Sequence, residues 1–489
     1  MVLSYLANLG HYVPEIVLCV TMIGLLFVES TYGDEETSKG YLYSTAFIGL
    51  TVTFFLLCLN LKDQPVAIFT NSLVIDSFST LVKMILVAGT AGAVYLCSQS
   101  KDINPKLKAE FVILSVGVLI GGMILASAHN MLMLYIGIET LSILSYALAS
   151  LNKHDTKSSE AGLKYSLYGG VSAGIMLFGM SHIFGVLGTI QFQEIPPLLT
   201  ALTLEQKMVL MPSFLLFFVG IGYKVACVPF HMWSPDVYEG SPLPVTAFFS
   251  IVPKIAGIAV LIRVTMVFFG EESALQYSWV GILSVVAALT MTVGNVSAIG
   301  QRSVKRMLAY SSISHSGMML MGIVVVNQIG VTSILFYAST YLFMTLAAFF
   351  IVSFVADRFG NDHFERFSGL MSTYPLMAIL LTVVMFSLAG IPPLSGFVAK
   401  FNIFAALIDS KLYVLAVIGG LNSVVSLYYY LKIVRLMIFK PNESNEKISG
   451  FGFRNQAVIV LLAFPVIFFG LFWSGLLTLA DNAKIFIVN

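Results

Sequence analysis

Apolar stretches of about 20 residues recur along the whole chain and are separated by short polar joints. An α-helix of this length crosses the hydrocarbon core of a bilayer, which is about 30 Å thick. The pattern therefore predicts an all-α polytopic membrane protein with about fourteen transmembrane helices. The predicted spans are 12–30, 41–60, 75–98, 109–127, 130–150, 160–187, 209–231, 243–270, 276–299, 304–326, 331–356, 373–407, 411–437 and 453–480.

Composition agrees with this pattern. Apolar residues make up 58% of the chain, charged residues make up 10%, and the mean hydropathy is +0.91. A soluble domain has roughly 25% charged residues, so a soluble fold is excluded. The net charge of +1 adds little, because the position of charges decides topology in a membrane.

The lysines and arginines indicate the orientation. Most of the 26 lie in every second joint, for example Lys101, Lys153, Arg302 and Lys305. The positive-inside rule places these joints in the cytoplasm and both termini outside. No Lys or Arg precedes Lys39, so the chain lacks the basic start of a signal peptide and the first helix is expected to remain as a span.

The positions of the cysteines and the lack of cofactor motifs argue against a redox site in this chain. Cys19, Cys58, Cys97 and Cys227 lie in or beside apolar runs without CxxC spacing, which predicts small core residues instead of a metal site, cluster or disulfide. The sequence also contains no GxGxxG and no Walker A motif. Any redox chemistry is therefore expected in another chain.

Residues 220–254 carry the clearest functional pattern. Lys224 and Lys254 lie inside apolar helical runs, and Pro229 and Pro235 interrupt the stretch between them. An ammonium near the bilayer centre costs roughly 2.5–3.5 kcal/mol, and a broken helix survives there only beside protein or a wet cavity. The combination predicts an ion path.

Other cations in apolar runs have simpler explanations. Lys164 and Lys432 lie within about two turns of a cytoplasmic helix end, where a long side chain can reach water. Arg263 is expected either to do the same or to neutralise a lipid or a carboxylate. Lys83 is expected to form a structural ion pair with Asp76, seven residues earlier.

Glu139 supplies a deep negative charge in the fifth span. Burial disfavours the charged form of a carboxylate and of a lysine, unless the two are paired. Pairing Glu139 with Lys224 would keep both charged, and separating them would let the lysine release its proton. A static pair used for packing is the alternative.

Histidines offer intermediate proton stations, because imidazole titrates near neutral pH. His231 follows the first helix break, and His315 lies among serines that could hold a water chain. His129 and His182 are expected to be hydrogen-bonded near helix ends instead.

A second break resembles the first. Pro392 and Pro393 interrupt the twelfth span, and Lys400 follows seven residues later. The two breaks lie five spans apart, so they run in opposite directions, which is typical of inverted repeats. We predict five-helix repeats in spans 4–8 and 9–13, although the second has His315 and no carboxylate in place of Glu139. The predicted divisions of the chain are 1–100, 101–270, 271–440 and 441–489.

Five segments together resemble a known family over nearly the full chain. They are IGIETLSILSYAL (136–148), GLKYSLYGG (162–170), GYKVACVPFHMWSPDVYEGSPLPV (222–245), RSVKRMLAYSSISHSG (302–317) and SLAGIPPLSGFVAKF (387–401). These segments resemble the N-subunit family of the proton-pumping NADH:quinone oxidoreductase, respiratory complex I. Related M and L subunits and antiporter subunits usually carry glutamate in place of Lys400, and the L-type adds a lateral helix that is absent here. Both differences favour the N-type.

The resemblance implies a role for each candidate residue. Glu139 would hold and release Lys224, Lys164 would match the sixth-helix lysine of the family, and Lys254 would be the central relay. His231 and His315 would connect these groups through water, and Lys400 would be the terminal carrier.

The resemblance also implies partners and location. The chain would be a subunit of a proton-translocating oxidoreductase in the inner membrane of a bacterium, beside M-type and K-type subunits, the lateral helix of the L-type subunit and lipid. An organelle membrane fits less well, and no nucleic acid is expected. NADH, FMN, iron–sulfur clusters and quinone would bind to other subunits, and this chain would hold no cofactor or metal.

Three alternatives remain open at this point. The chain could act as a cation/proton antiporter, alone or with other subunits, using the same lysines. It could be a structural anchor whose polar residues only pack. It could also belong to a related complex that receives electrons from ferredoxin.

Overall fold

A computed structural model describes residues 8–32, 36–61, 64–270, 275–441 and 452–486. Its helices in chain order are α1 Val13–Tyr32, α2 Glu36–Asn60, α3 Ser77–Gln99, α4 Lys108–Ser127, α5 Met131–Ala149, α6 Thr156–Leu187, α7 Ile195–Ala201, α8 Leu204–Val225, α9 Trp233–Gly240, α10 Leu243–Phe269, α11 Gln276–Ile299, α12 Val304–Val324, α13 Gln328–Phe359, α14 Leu370–Thr373, α15 Pro375–Ala389, α16 Ser395–Asp409, α17 Tyr413–Phe439, α18 Phe453–Leu471 and α19 Ser474–Asn482. One short antiparallel hairpin, β1 Val66–Ile68 and β2 Leu73–Ile75, precedes α3.

The number of spans agrees with the prediction. Within the described ranges, thirteen helices are long and apolar enough to cross a membrane. The predicted twelfth span is divided into the shorter helices α15 and α16. The chain is therefore an all-α polytopic membrane protein. The inverted relation of the two halves and the division of the chain stay predictions, and the predicted boundaries near 271 and 441 adjoin residues outside the described ranges.

The first break follows α8. The helix ends at Val225, and the next residue, Ala226, has the left-handed φ of 60° while its N–H donates to the carbonyls of Gly222 and Tyr223. Pro229 cannot continue a helix, and the chain resumes as α9 at Trp233. The sequence predicts this break at 228–235, but it begins at Ala226, because the positive φ of that residue already closes the helix.

The second break separates α15 from α16. Gly390 has φ 88°, and its N–H donates to the carbonyls of Phe386 and Ser387. A left-handed residue after the last helical turn is the common way to end a helix, and glycine adopts it without strain. Both broken spans that the prolines predicted are thus present in the structure.

Helix α10 forms the centre of the protein. Every residue in its span window is buried, whereas the windows of α1 and α18 are only 28% and 22% buried. It packs against α3, α4, α8, α12 and α13. The outer helices expose large apolar side chains, as expected for surfaces that face lipid. Lys254 therefore lies on the most enclosed of the described spans.

Two ion pairs among the described residues are fully buried, and their partners differ from the prediction. Lys83 Nζ lies 2.5 Å from Glu15 Oε1, and both side chains are 1% exposed. Asp76 pairs instead with Arg263 at 3.0 Å. The predicted Lys83–Asp76 pair is wrong because Asp76 caps the start of α3, where its Oδ1 accepts a hydrogen bond from Ser79 N at 2.7 Å. Arg263 neutralises a carboxylate, which was one of its two predicted roles.

The four cysteines and Lys432 differ in how deeply they are buried. Cys97 and Cys227 are buried, as predicted, but Cys19 and Cys58 are exposed on α1 and α2, so the prediction of core positions is wrong for these two. Lys432 is half-buried, with its ammonium 4.2 Å from the ring centroid of Phe364.

We expect Lys83→Met to destabilise the protein by about 3–5 kcal/mol, because it leaves the Glu15 carboxylate buried without a partner. Adding Glu15→Leu should recover most of this loss, since the double variant buries no charge. The apparent Tm of the purified protein in detergent measures both effects. A double variant no more stable than Lys83→Met would contradict the ion-pair explanation.

Candidate functional site

Lys224 lies in the last turn of α8 and is 1% exposed. Its Nζ donates to Ser142 Oγ at 3.1 Å and to Tyr165 OH at 3.2 Å. Helix α8 ends at Val225, one residue later, so the ammonium lies beside irregular backbone. Both hydrogen-bond partners are neutral hydroxyls.

Glu139 lies on α5, one helical turn before Ser142. Its side chain is half-buried, and its Oε1 is buried without a hydrogen-bond partner within the protein. Among the described residues, no ion pair within 4.0 Å joins Glu139 to Lys224. The structure therefore brings the two predicted partners to neighbouring positions, with Ser142 as the direct contact of the lysine.

Aromatic side chains enclose Lys224. The rings of Tyr165 and Trp233 stack with centroids 4.3 Å apart and an angle of 11°. Trp233 Nε1 donates to the carbonyl of Tyr223 at 2.9 Å, and Tyr223 OH donates to the carbonyl of Tyr165 at 2.7 Å. These contacts join α9 to α6 and α8 and exclude lipid from the lysine. Sequence reasoning missed them, although the residues stand inside the quoted segments.

Lys254 lies in the middle of α10 and is also 1% exposed. Its Nζ donates to Ser312 Oγ of α12 at 2.6 Å and lies 5.3 Å from the ring centroid of Tyr238 on α9. No carboxylate of the described residues forms an ion pair with it. A hydroxyl and an aromatic face are thus its polar surroundings.

His315 is buried on α12 in a network of hydroxyls. Its Nδ1 lies 2.6 Å from Tyr337 OH, and its Nε2 lies 3.0 Å from Tyr430 OH. Tyr430 OH in turn lies 2.5 Å from Ser311 Oγ. Ser311 is the neighbour of Ser312 in the sequence, so this network begins beside the partner of Lys254. Tyr337 comes from the next helix, α13, and Tyr430 from the distant α17, and no sequence signal indicated either of them.

Lys400 is held by the second break. It lies on α16, is 6% exposed, and its Nζ donates to the carbonyl of Ala389 at 2.9 Å. Ala389 is the last residue of α15, whose terminal carbonyls carry partial negative charge. The break therefore supplies the acceptor that stabilises the buried ammonium.

Among the described residues, the side chains of Lys164 and His231 share no hydrogen-bond partner with these three lysines. Lys164 is 36% exposed and lies 2.7 Å from both Glu160 and Asp236. With Arg306 and Glu239, which also form an ion pair, it lines an open cavity of about 190 Å³ at the predicted cytoplasmic end. His231 lies half-buried in the first break, and its Nδ1 is buried without a protein partner.

Lys305 is a buried cation that the sequence reasoning placed in an aqueous joint. Its side chain is enclosed because α9 folds over the start of α12. The ammonium donates to the carbonyl of Glu239 at 3.2 Å and to the carbonyl of Ser241. Lys305 thus holds the C-terminal end of α9, which carries Tyr238 to Lys254.

The arrangement suits proton transfer. Lys224, Lys254 and Lys400 are each bound by hydroxyls or a carbonyl, so no full negative charge fixes their protonated form. Within the described residues, no group of three His, Cys, Asp or Glu side chains could hold a metal ion.

Comparisons with known proteins agree with this description. The family described as NADH:quinone oxidoreductase/Mrp antiporter, TM, matches residues 128–426. The chain is 38% identical over 488 residues to NADH-quinone oxidoreductase subunit N 2 of Sorangium cellulosum, covering 96% of each. It is 39% identical over 473 residues to NADH-quinone oxidoreductase subunit N of Methylobacterium nodulans, covering 95% of this chain and 94% of that protein. A chain of respiratory complex I from Thermus thermophilus, solved with aureothin, superposes with a TM-score of 0.80 at 27% identity, covering 96% of this chain and 100% of that one.

Gly390→Ala should destabilise the second break. The glycine has φ 88°, where an alanine is strained by about 1–2 kcal/mol, and the added Cβ would lie 2.8 Å from Lys400 Cδ. Gly420→Ala is the control, because that helical glycine has open space beside it and alanine favours a helix. We expect a lower apparent Tm for the first variant only. Equal Tm values would show that the break tolerates a side chain.

Proposed function

The chain belongs to the N-subunit family of NADH:quinone oxidoreductase, and we propose that Lys224, Lys254 and Lys400 carry the protons that this membrane subunit moves. The burial of these three lysines without a carboxylate ion pair is the observation that carries the proposal. Burial makes the charged form costly, so each ammonium can lose its proton when its surroundings change.

Hydroxyl partners let a lysine lose its proton and still keep its hydrogen bonds. A hydroxyl both accepts and donates hydrogen bonds. Ser142 and Tyr165 can accept from the Lys224 ammonium and donate to the neutral amine, and Ser312 can do the same for Lys254. Lys400 differs, because the Ala389 carbonyl only accepts and keeps the amine as a donor in either state.

Glu139 adjusts the charge of Lys224. Its carboxylate lies one turn from Ser142 and favours the ammonium through space, although no direct contact fixes the pair. A small approach of α5 and α8 would strengthen this attraction, and a small separation would weaken it. The pair is thus suited to holding and releasing a proton.

The hydroxyl network of α12 is suited to carry protons between Lys254 and the second half of the chain. Ser311, Tyr430, His315 and Tyr337 are joined by consecutive hydrogen bonds. An imidazole can receive a proton on one nitrogen and release another from the opposite nitrogen. His231, in the first break, and Lys164, at the cytoplasmic cavity, would serve the entry side of the same path.

The proposal extends to the membrane, the orientation and the partner subunits, which the family resemblance implies. We place the chain in the cytoplasmic membrane of a bacterium with both termini outside, as the basic joints favour. M-type and K-type subunits and the lateral helix of the L-type subunit would contact its outer helices. NADH, FMN, iron–sulfur clusters and quinone would bind to other subunits of this translocase.

Cation/proton antiport is the second candidate, because the matching family description also names the Mrp antiporter. The same lysines would then exchange protons for Na⁺ or K⁺ without quinone reduction. Transport in vesicles that lack every redox subunit would favour this function.

Lys254→Met tests the relay, because methionine preserves the apolar volume but cannot carry a proton. In the assembled complex, NADH-driven proton uptake into vesicles should fall by more than about tenfold, since a positioned acid–base group typically contributes about a hundredfold or more. Lys432→Met is the matched control, because that lysine packs on Phe364 outside the relay. Full pumping by an assembled Lys254→Met complex would reject the relay.

Glu139→Gln should lower proton pumping, because it removes the charge that favours the Lys224 ammonium. Glu139→Asp should lower it less, since it keeps the charge and shortens the side chain by one methylene. The measurement compares proton uptake per NADH oxidised in the two variants across a pH series. Identical profiles for both variants would exclude electrostatic control by Glu139.

A further inference from the structure

A second buried polar cluster lies on the predicted external side of the membrane, opposite the side of Lys164. We call it the external cluster, and it consists of Asp76, Ser127, His129 and Arg263. All four side chains are at most 3% exposed. They come from the start of α3, the end of α4, the α4–α5 joint and α10. Arg263 lies nine residues after Lys254, which is roughly 13 Å along the same helix.

The C-terminal residues 483–486, here named the strap, cover this cluster. Phe486 N donates to Asp76 Oδ2 at 3.0 Å, and Arg263 Nη1 donates to the carbonyl of Phe486 at 3.3 Å. The strap thus contacts both members of the buried ion pair through its backbone. The ring of Phe486 lies 6.1 Å from the His129 ring, which Phe192 flanks at 6.4 Å.

Several polar atoms of the cluster have no partner within the protein. They are Ser127 Oγ, Arg263 Nε and both ring nitrogens of His129. The expected hydrogen bonds of the His129 ring are therefore not made to the described residues. Leaving such groups unsatisfied costs about 1–3 kcal/mol each, and buried water is the usual partner in such positions. Four unpartnered atoms around one ion pair thus indicate bound water.

His129 is kept neutral in this position. Burial and, to a smaller extent, the positive charge of Arg263 lower the pKa of His129 to about 4, although Asp76 opposes the change. Asp76 and Arg263 are the charged groups that act on this ring. An exposed imidazole has a pKa near 6.5, so uncovering His129 makes it a base at physiological pH.

We propose that the external cluster exchanges protons with the outside and that the strap controls its access to water. This inference rests on the proposed relay, because the relay supplies the proton. The opened strap leaves His129 in contact with water; one ring nitrogen accepts a proton from the inner side, and the other releases a proton outward. Asp76 balances the transient positive charge.

The ratio of open to closed strap depends on pH, because His129 binds a proton with different affinity in the two states. Protonated His129 favours the open strap, because the closed state binds this proton more weakly. Between pH 6.5 and pH 4, each unit of acidification should therefore raise the ratio of open to closed strap by up to about tenfold. Above pH 6.5 this ratio should not change through His129.

Truncation after Ala483 tests the strap in the assembled complex. Exchange of the histidine C2 hydrogen, followed by mass spectrometry over a pH series, reports access and titration at each histidine. The titration midpoint of His129 should rise from about 4 towards about 6.5 in the truncated chain. Lys484→Ala is the matched control, because Lys484 contributes its backbone N–H to Ser77 and alanine retains it. Exposed His363 should be unchanged in every variant.

His129→Leu tests proton release, with His182→Leu as control, because His182 is exposed on α6 and packs against Phe178. Proton release to the external medium should fall several-fold in His129→Leu alone. An unchanged His129 midpoint after truncation, or normal release by His129→Leu, would overturn the inference. Loss of pumping in Lys254→Met with normal pumping in His129→Leu would reject the external site while keeping the relay.

Discussion

The cost of enclosing charge in an apolar interior governs this structure. The chain meets it in two different ways. Glu15–Lys83 and Asp76–Arg263 are full ion pairs, in which each charge fixes the other. Lys224, Lys254 and Lys400 have only hydroxyl or carbonyl partners, so their charge is supported but not fixed. The kind of partner, and not the depth of burial, therefore separates the paired charges from the three lysines that we propose as proton carriers.

The helix breaks make it possible to bind buried lysines through hydroxyls and carbonyls alone. A continuous helix satisfies its own carbonyls, whereas the end of α15 offers Ala389 to Lys400. The first break frees α9 to place Trp233 against Tyr165 and Tyr238 against Lys254. One short helix thus adjoins the surroundings of two lysines and also lines the cavity beside Lys164 with Asp236. Changes at that cavity can reach both lysines through a single rigid element.

Sequence reasoning predicted the fold well, because the lengths of apolar runs and the positions of prolines act locally. It also predicted the burial of Lys224, Lys254 and Lys400, since a cation in an apolar run is visible without a partner. The partners were not visible. Tyr430 reaches His315 across 115 residues, and Glu15 reaches Lys83 across 68, so only the packing of the helices could pair them. Lys305 was misplaced for the same reason, because its burial depends on α9 lying over the start of α12.

The contact between Lys305 and α9 also has a consequence for biosynthesis. The residues that hold α9 are translated late, since Lys305 follows Glu239 by 66 residues. Until α12 enters the membrane, the carbonyls at the end of α9 and the carboxylates of Asp236 and Glu239 lack the cations of α12. The first half of the protein therefore emerges from the ribosome with polar groups on α9 that still lack these partners. The polar contacts of α9 are therefore complete only after α12 has been inserted.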